Sequence, residues 1–167
     1  MEDQKFIDEK SAQAWKDLQK TLTYELKSVK VGIKLLHPDA KIPQMQRDGD
    51  AAFDLYSIEE VIIDAGKTKS VDCGIACEIP LNYKLMVTGR SGLATKGIFC
   101  HVGTIDPNYK GMIGAILVNT TDLPYRIHKG DRVGQMSLQQ VIPTSFEVVD
   151  KLSSSVRGDQ GFGSSGR

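Results

Sequence analysis

The spacing of apolar positions changes once along this chain, near residue 30. Before that point Trp15, Leu18, Leu22 and Leu26 recur at helical spacing. They lie in a stretch, residues 2–28, that lacks Gly and Pro and is rich in Lys, Glu, Gln and Leu. The pattern predicts an amphipathic helix within an N-terminal extension over residues 1–29. An apolar stripe of this kind suits packing on its own domain or on a neighbouring subunit. It suits docking to a partner protein as well, and the stripe does not separate the two.

From residue 30 the period shortens. VKVGIKLL, VIIDAG, KSVDCGIACEIP, YKLMVTG, GIFCHVGTI, MIGAILVN, RVGQMSLQQVI and SFEVV read as short strands, several with clear alternation. HPD, DAGK, LNY, DPNYKG, TTDLP and HKGD interrupt them with turn chemistry. Many short strands with almost no helix predict an all-β sandwich, jelly roll or barrel over residues 30–151. Beyond Leu152 the chain becomes Ser, Gly and charge, which predicts a mobile C-terminal arm over residues 152–167.

Composition narrows the function classes. With 167 residues the chain suits one domain with a usable core. Its 21 basic and 21 acidic residues cancel, so a whole-chain nucleic-acid footprint is absent, although a few local cations suffice for a free nucleotide. No apolar run approaches the length of a membrane span, and the charged start MEDQKFIDEK does not resemble a secretory signal. Cys73, Cys77 and Cys100 form no CxxC pair and sit among apolar residues, which predicts buried thiols in a reducing compartment such as the cytoplasm.

Candidate chemistry lies in five places. In DAAFDLYS, residues 50–57, Asp54 stands between Phe53 and Leu55, where a carboxylate is costly unless paired. A salt bridge to an arginine and a site-orienting role both fit. GRSGLATKG, residues 89–97, offers Arg90, Ser91 and glycines whose amides can approach an anion; a structural turn fits equally, and GxxxxGK[ST] is absent. In GTIDPNYKG, residues 103–111, Asp106 is either a turn cap or a general base for water, and Tyr109 could pack beneath a sugar. Asn119, ending MIGAILVN, fits a turn cap as well as a ligand contact. RIHKGDRVGQM, residues 126–136, reads as a hairpin turn with Arg126 and Arg132 on its flanks, and Gln135 could donate to a phosphate oxygen. The tail RGDQGFGSSGR combines arginine, serine hydroxyls and flexible amides, which a phosphate chain requires, with an aromatic able to close over a ring.

Taken in order, DAAFDLYS, GRSGLA, GTIDPNYKGMIGAILVN, RIHKGDRVGQM and RGDQGFGSSG resemble the five motifs of the trimeric dUTP diphosphatase (dUTPase) family, over roughly residues 31–167. The resemblance implies a jelly-roll-like β-barrel, here with an added N-terminal helix, assembled as a homotrimer whose active sites each draw on three subunits. It implies hydrolysis of dUTP to dUMP and pyrophosphate, which limits uracil in DNA and supplies dUMP for thymidylate synthesis. Asp106 resembles the base that activates water against the α-phosphorus. Tyr109 matches the residue that lies against deoxyribose and excludes a 2′-hydroxyl. The hairpin from Gly111 and Met112 to Asn119 would read uracil through backbone groups. Arg90, Ser91, Gly92 and Gln135 match phosphate binders, and Asp54 a site-organising aspartate. Arg157, Phe162, Gly163, Ser164 and Ser165 match the arm whose phenylalanine covers uracil while its arginine and serines hold the γ-phosphate. Mg²⁺ is the implied cofactor, held by the triphosphate and waters rather than by side chains.

The chain departs from the family pattern at Ala52 and Phe53, at Pro107, Asn108 and Lys110, and at Gln160, where a glycine is usual. None removes a proposed catalytic group. Two rivals remain. The dCTP deaminases resemble this chain through the IDP of residues 105–107, but need a glutamate where Ile116 stands. A nucleotide-gated binding module would use the N-terminal extension, residues 1–29, as its docking element.

Overall fold

A strand needs a neighbour for its ladder, and the topology shows which predicted strands find one. The computed structural model describes residue 13, residues 28–156 and residues 158–159. The helix expected within residues 1–29 and the tip of the C-terminal arm lie outside the described residues. Ten strands follow in chain order: β1 (Gly32–Leu35), β2 (Phe53–Tyr56), β3 (Val61–Ile63), β4 (Thr68–Glu78), β5 (Tyr83–Thr88), β6 (Ile98–Cys100), β7 (Gly103–Ile105), β8 (Ile113–Asn119), β9 (Tyr125–Ile127) and β10 (Arg132–Gln140). A single helical turn, α1 (Ser91–Ala94), follows β5. No described helix is long and apolar enough to cross a membrane.

The strands form two four-stranded antiparallel sheets, β1-β4-β8-β6 and β2-β10-β5-β7, with a small β3-β9 pair. The all-β expectation holds. Alternation sets the inward faces: along β8, Ile113, Ala115 and Leu117 are buried while Ile116 is exposed. They join Leu55, Val71, Ile75, Val87, Ile127 and Val133 in one apolar cluster. Each fully buried leucine or isoleucine there contributes about 1.5–3 kcal/mol. β4 is broken by a register shift between Asp72 and Ile75, at Gly74 (φ 66°). A side chain at Gly74 would also meet Ile58 at 2.8 Å, so space and backbone both require glycine.

Two expectations change. GIFCHVGTI is not one strand: after Cys100 the chain leaves β6 in the first sheet and enters β7 in the second. His101 and Val102 make the crossing, which alternation cannot reveal because both halves keep strand character. SFEVV, residues 145–149, forms no strand. Phe146 and Val148 are each 99% exposed, and among the described residues the segment pairs with no sheet edge.

Candidate active site

β10 is the central strand of its local trio, and this places the first constellation. Gln135 is the register partner of Asp54 on β2 and of Thr88 on β5. One row across the sheet therefore carries a carboxylate, a carboxamide and the residue just before the Gly89-Arg90 turn. Asp54 is buried, and both its oxygens are engaged. Arg90 donates from Nε to Oδ1 at 2.9 Å, and Arg132 from Nη1 to Oδ2 at 3.1 Å. Arg90 also reaches the Arg132 carbonyl at 3.4 Å. Gln135 donates Nε2 to the Gly89 carbonyl at 3.0 Å, pinning the turn that presents Arg90 and Ser91.

A buried carboxylate of this kind is tolerable because two guanidiniums compensate its desolvation. In return it fixes both arginines at the wall of a cavity of about 770 Å³. Asp54, Arg90, Ser91 and Gln135, expected from the sequence, all line it, together with Arg132 and Arg47. Gly92 follows Ser91 in α1, and a side chain there would meet nothing within 4 Å, so packing does not demand glycine. Sequence reading treated Arg132 as a turn flank. The signal that could have found it was the buried Asp54, whose second oxygen still needs a donor once Arg90 has taken the first.

The second constellation is a hairpin. β7 ends at Ile105, the chain turns through Asp106-Pro107-Asn108, and Tyr109 N–H donates to the Asp106 carbonyl at 3.0 Å. The Tyr109 hydroxyl then donates to the Met112 carbonyl at 2.9 Å, laying the ring along the strand entry. Gly111 makes this possible: a β-carbon there would stand 2.5 Å from the Tyr109 hydroxyl oxygen and 2.6 Å from its Cζ. Asp106, Tyr109, Met112, Gly114, Ile116 and His101 are among the residues around a cavity of about 430 Å³. Asp106 is exposed, and among the described residues no hydrogen bond or ion pair engages its carboxylate.

Asn119 stands apart from this cavity. It is fully buried, and its Nδ2 donates to the carbonyls of Ile63 at 2.9 Å and Leu123 at 2.8 Å. Its Oδ1 accepts from the N–H and hydroxyl of Thr121, at 3.0 and 2.8 Å. The carboxamide therefore acts as a turn cap, with no donor or acceptor of the side chain left over for a ligand.

The two cavities share no lining residue within this chain. Arg157, Phe162, Gly163, Ser164 and Ser165 lie outside the described residues, so neither cavity is seen with the arm. Cys73, Cys77 and Cys100 are free thiols. Burial is the main force raising all three, and Asp72 adds to it at Cys73, whose pKa is pushed up to about 12. A raised thiol pKa disfavours the nucleophilic thiolate, and Cys73 and Cys77 are buried as well.

Fold and geometry together define an antiparallel β protein with an arginine-walled cavity and a separate, carboxylate-bearing hairpin cavity. The sequence model of the dUTPase family matches residues 38–166, and the chain belongs to that family. It is similar to the deoxyuridine 5′-triphosphate nucleotidohydrolase of a Picosynechococcus species, 44% identical over 134 residues, covering 78% of this chain and 94% of that protein. The protein of the same name from Clostridium tetani is 42% identical over 138 residues, covering 81% and 95%. Among solved structures, a mutant of the Staphylococcus bacteriophage 80alpha dUTPase with dUpNHpp superposes with a TM-score of 0.79 at 27% identity. That match covers 84% of this chain and 100% of the phage chain.

Proposed function

We propose that this chain hydrolyses dUTP to dUMP and pyrophosphate. The carrying observation is the free carboxylate of Asp106 at a cavity whose wall is shaped by Tyr109. An acceptor with no internal partner can take a proton from water. The relatives' printed activity and the dUpNHpp held by the phage enzyme support the same substrate. In the proposed step Asp106 accepts the proton of a water whose oxygen forms a bond to the α-phosphorus. The bond from that phosphorus to the bridging oxygen of the β-phosphate breaks, and pyrophosphate leaves.

The remaining residues divide the work. Tyr109 packs against deoxyribose, where a ribose hydroxyl would collide with a ring held in place at both ends. Gly111, Met112 and the start of β8 offer backbone groups to uracil. Arg90, Ser91, Gly92 and Gln135 bind phosphate oxygens, and Asp54 keeps the arginines aimed. The C-terminal arm, with Arg157, Phe162, Gly163, Ser164 and Ser165, closes over base and γ-phosphate. Because Asp54 is committed to two arginines, the residues fit a Mg²⁺ held by the triphosphate and waters. Such an ion would offset charge on the phosphates.

Two cavities without a common residue make sense if the core is a jelly-roll-like barrel assembled as a homotrimer. The arginine wall of one copy then faces the Asp106 hairpin of another. Deamination is disfavoured, because Ile116 lines the hairpin cavity where that chemistry needs a carboxylate.

The test is pyrophosphate release with Mg²⁺ from dUTP, dCTP, dTTP and UTP, with ammonia assayed in parallel. Release from dUTP alone is expected. Ammonia from dCTP, or inertness towards dUTP, would overturn the proposal.

A further inference from the structure

The arginine-walled cavity holds a cation that neither the family motifs nor the substrate assignment uses. Arg47 lies in the loop before β2 and lines the same cavity as Arg90, Ser91 and Gln135. Its two fellow arginines spend part of their charge on Asp54. Among the described residues no carboxylate pairs with the Arg47 guanidinium.

The loop that presents it is tied down on both sides. Asp50 Oδ2 accepts the backbone N–H groups of Gln46 and Arg47, at 3.1 and 2.9 Å, and Asp50 N–H returns a bond to the Arg47 carbonyl at 3.2 Å. Gln46 Nε2 donates to the Tyr56 hydroxyl at 3.0 Å, and Gln44 accepts the N–H of Asp54 itself at 2.9 Å. The backbone under Arg47 is thus coupled to the strand that carries the site's buried carboxylate.

We propose that Arg47 is a further polyphosphate-binding arginine, acting on the anionic chain of the substrate from the loop before β2. This rests on the proposed dUTP hydrolysis for its substrate, but its chemistry requires only a polyphosphate. The cavity lining supplies three arginines against Asp50 and Asp54, and Arg47 is the one whose charge is uncommitted. A planar guanidinium suits paired contacts to phosphate oxygens. Its exposure makes it a modest contributor to affinity rather than an anchor.

The experiment compares the full-length chain with Arg47→Gln and Arg47→Lys. It reads KM and kcat for dUTP and the inhibition constant of inorganic triphosphate. For Arg47→Gln, KM and the inhibition constant are expected to rise together by roughly three- to tenfold, with kcat nearly unchanged. Arg47→Lys should recover part of the loss, and added salt should narrow the gap between the variants. Unchanged constants in Arg47→Gln would overturn the proposal. So would a fall in kcat at constant KM, which would assign the residue to the fold or the chemistry. If the parent chain left dUTP intact yet Arg47→Gln weakened triphosphate binding, the dUTP assignment would fail and the arginine's role would stand.

Discussion

The two cavities solve opposite problems. At the arginine wall, charge is buried and satisfied before any ligand arrives: Asp54 is clamped by Arg90 and Arg132, and Gln135 locks the Gly89 carbonyl. At the hairpin, the proposed base is left open. Asp106 is exposed and unengaged, while precision goes into the neighbouring ring, held between the Met112 carbonyl and the missing side chain of Gly111. Binding oxyanions calls for fixed donors that need no reorganisation. Taking a proton calls for an acceptor with a free lone pair. One site is therefore preorganised through ion pairs, the other through steric room.

Breaking the open side should have the largest effect. Asp106→Asn keeps the shape but removes the proposed base, and turnover of dUTP should fall roughly 10²- to 10⁴-fold while dUTP binding persists. Steady-state turnover and calorimetric binding check this together, and normal turnover would remove Asp106 from the mechanism.

Breaking the closed side should cost stability as well as binding. Asp54→Ala strands two guanidiniums, and the core should lose about 2–4 kcal/mol, less than a wholly buried pair because both arginines keep solvent contact. Urea unfolding measures the loss. A variant as stable as the parent would show that the clamp does not hold the sheet.

A gentler change sharpens the contrast. Gly111→Ala places a methyl group against the Tyr109 ring, so the preference for dUTP over UTP should shrink by roughly tenfold. Overall stability should barely move, because Tyr109 is an exposed loop residue. Equal discrimination in parent and variant would show that the ring does not depend on this glycine.

The smallest effect concerns the thiols, which serve neither cavity. A folded-state pKa raised above the unfolded value keeps Cys73 protonated in the native chain while the unfolded chain ionises. Stability is thus full below about pH 9 and declines as pH rises towards about 12. Native thiols should react slowly with an alkylating reagent at pH 8 and rapidly once unfolded. Fast labelling of Cys73 in the native chain would contradict its burial.

Local pattern made much of this molecule legible. Alternation along MIGAILVN places Ile113, Ala115 and Leu117 inward, as β8 has them. The motif residues identified Asp54, Arg90, Ser91 and Gln135, which one cavity gathers, and Asp106 and Tyr109, which share the other. Segments that depend on a neighbour were harder to read. SFEVV has strand composition without a ladder, and GIFCHVGTI divides between sheets at His101 and Val102. The capping bonds of the Asn119 carboxamide to Ile63, Leu123 and Thr121 are likewise invisible in the sequence.

What the sequence by itself determined is the inventory and the period: which side chains carry charge, hydroxyls or ring faces, and which strand positions turn inward. These are local properties, set by residue type and by the two-residue repeat of a strand. Tertiary structure alone decided the partnerships. Asp54 meets Arg90 across 36 residues and Arg132 across 78, and β10 must enter between β2 and β5 before Gln135 stands beside that carboxylate. A salt bridge or a cavity wall depends on distance in space. The chain acquires those distances only when the burial of its apolar faces selects one strand order and one register.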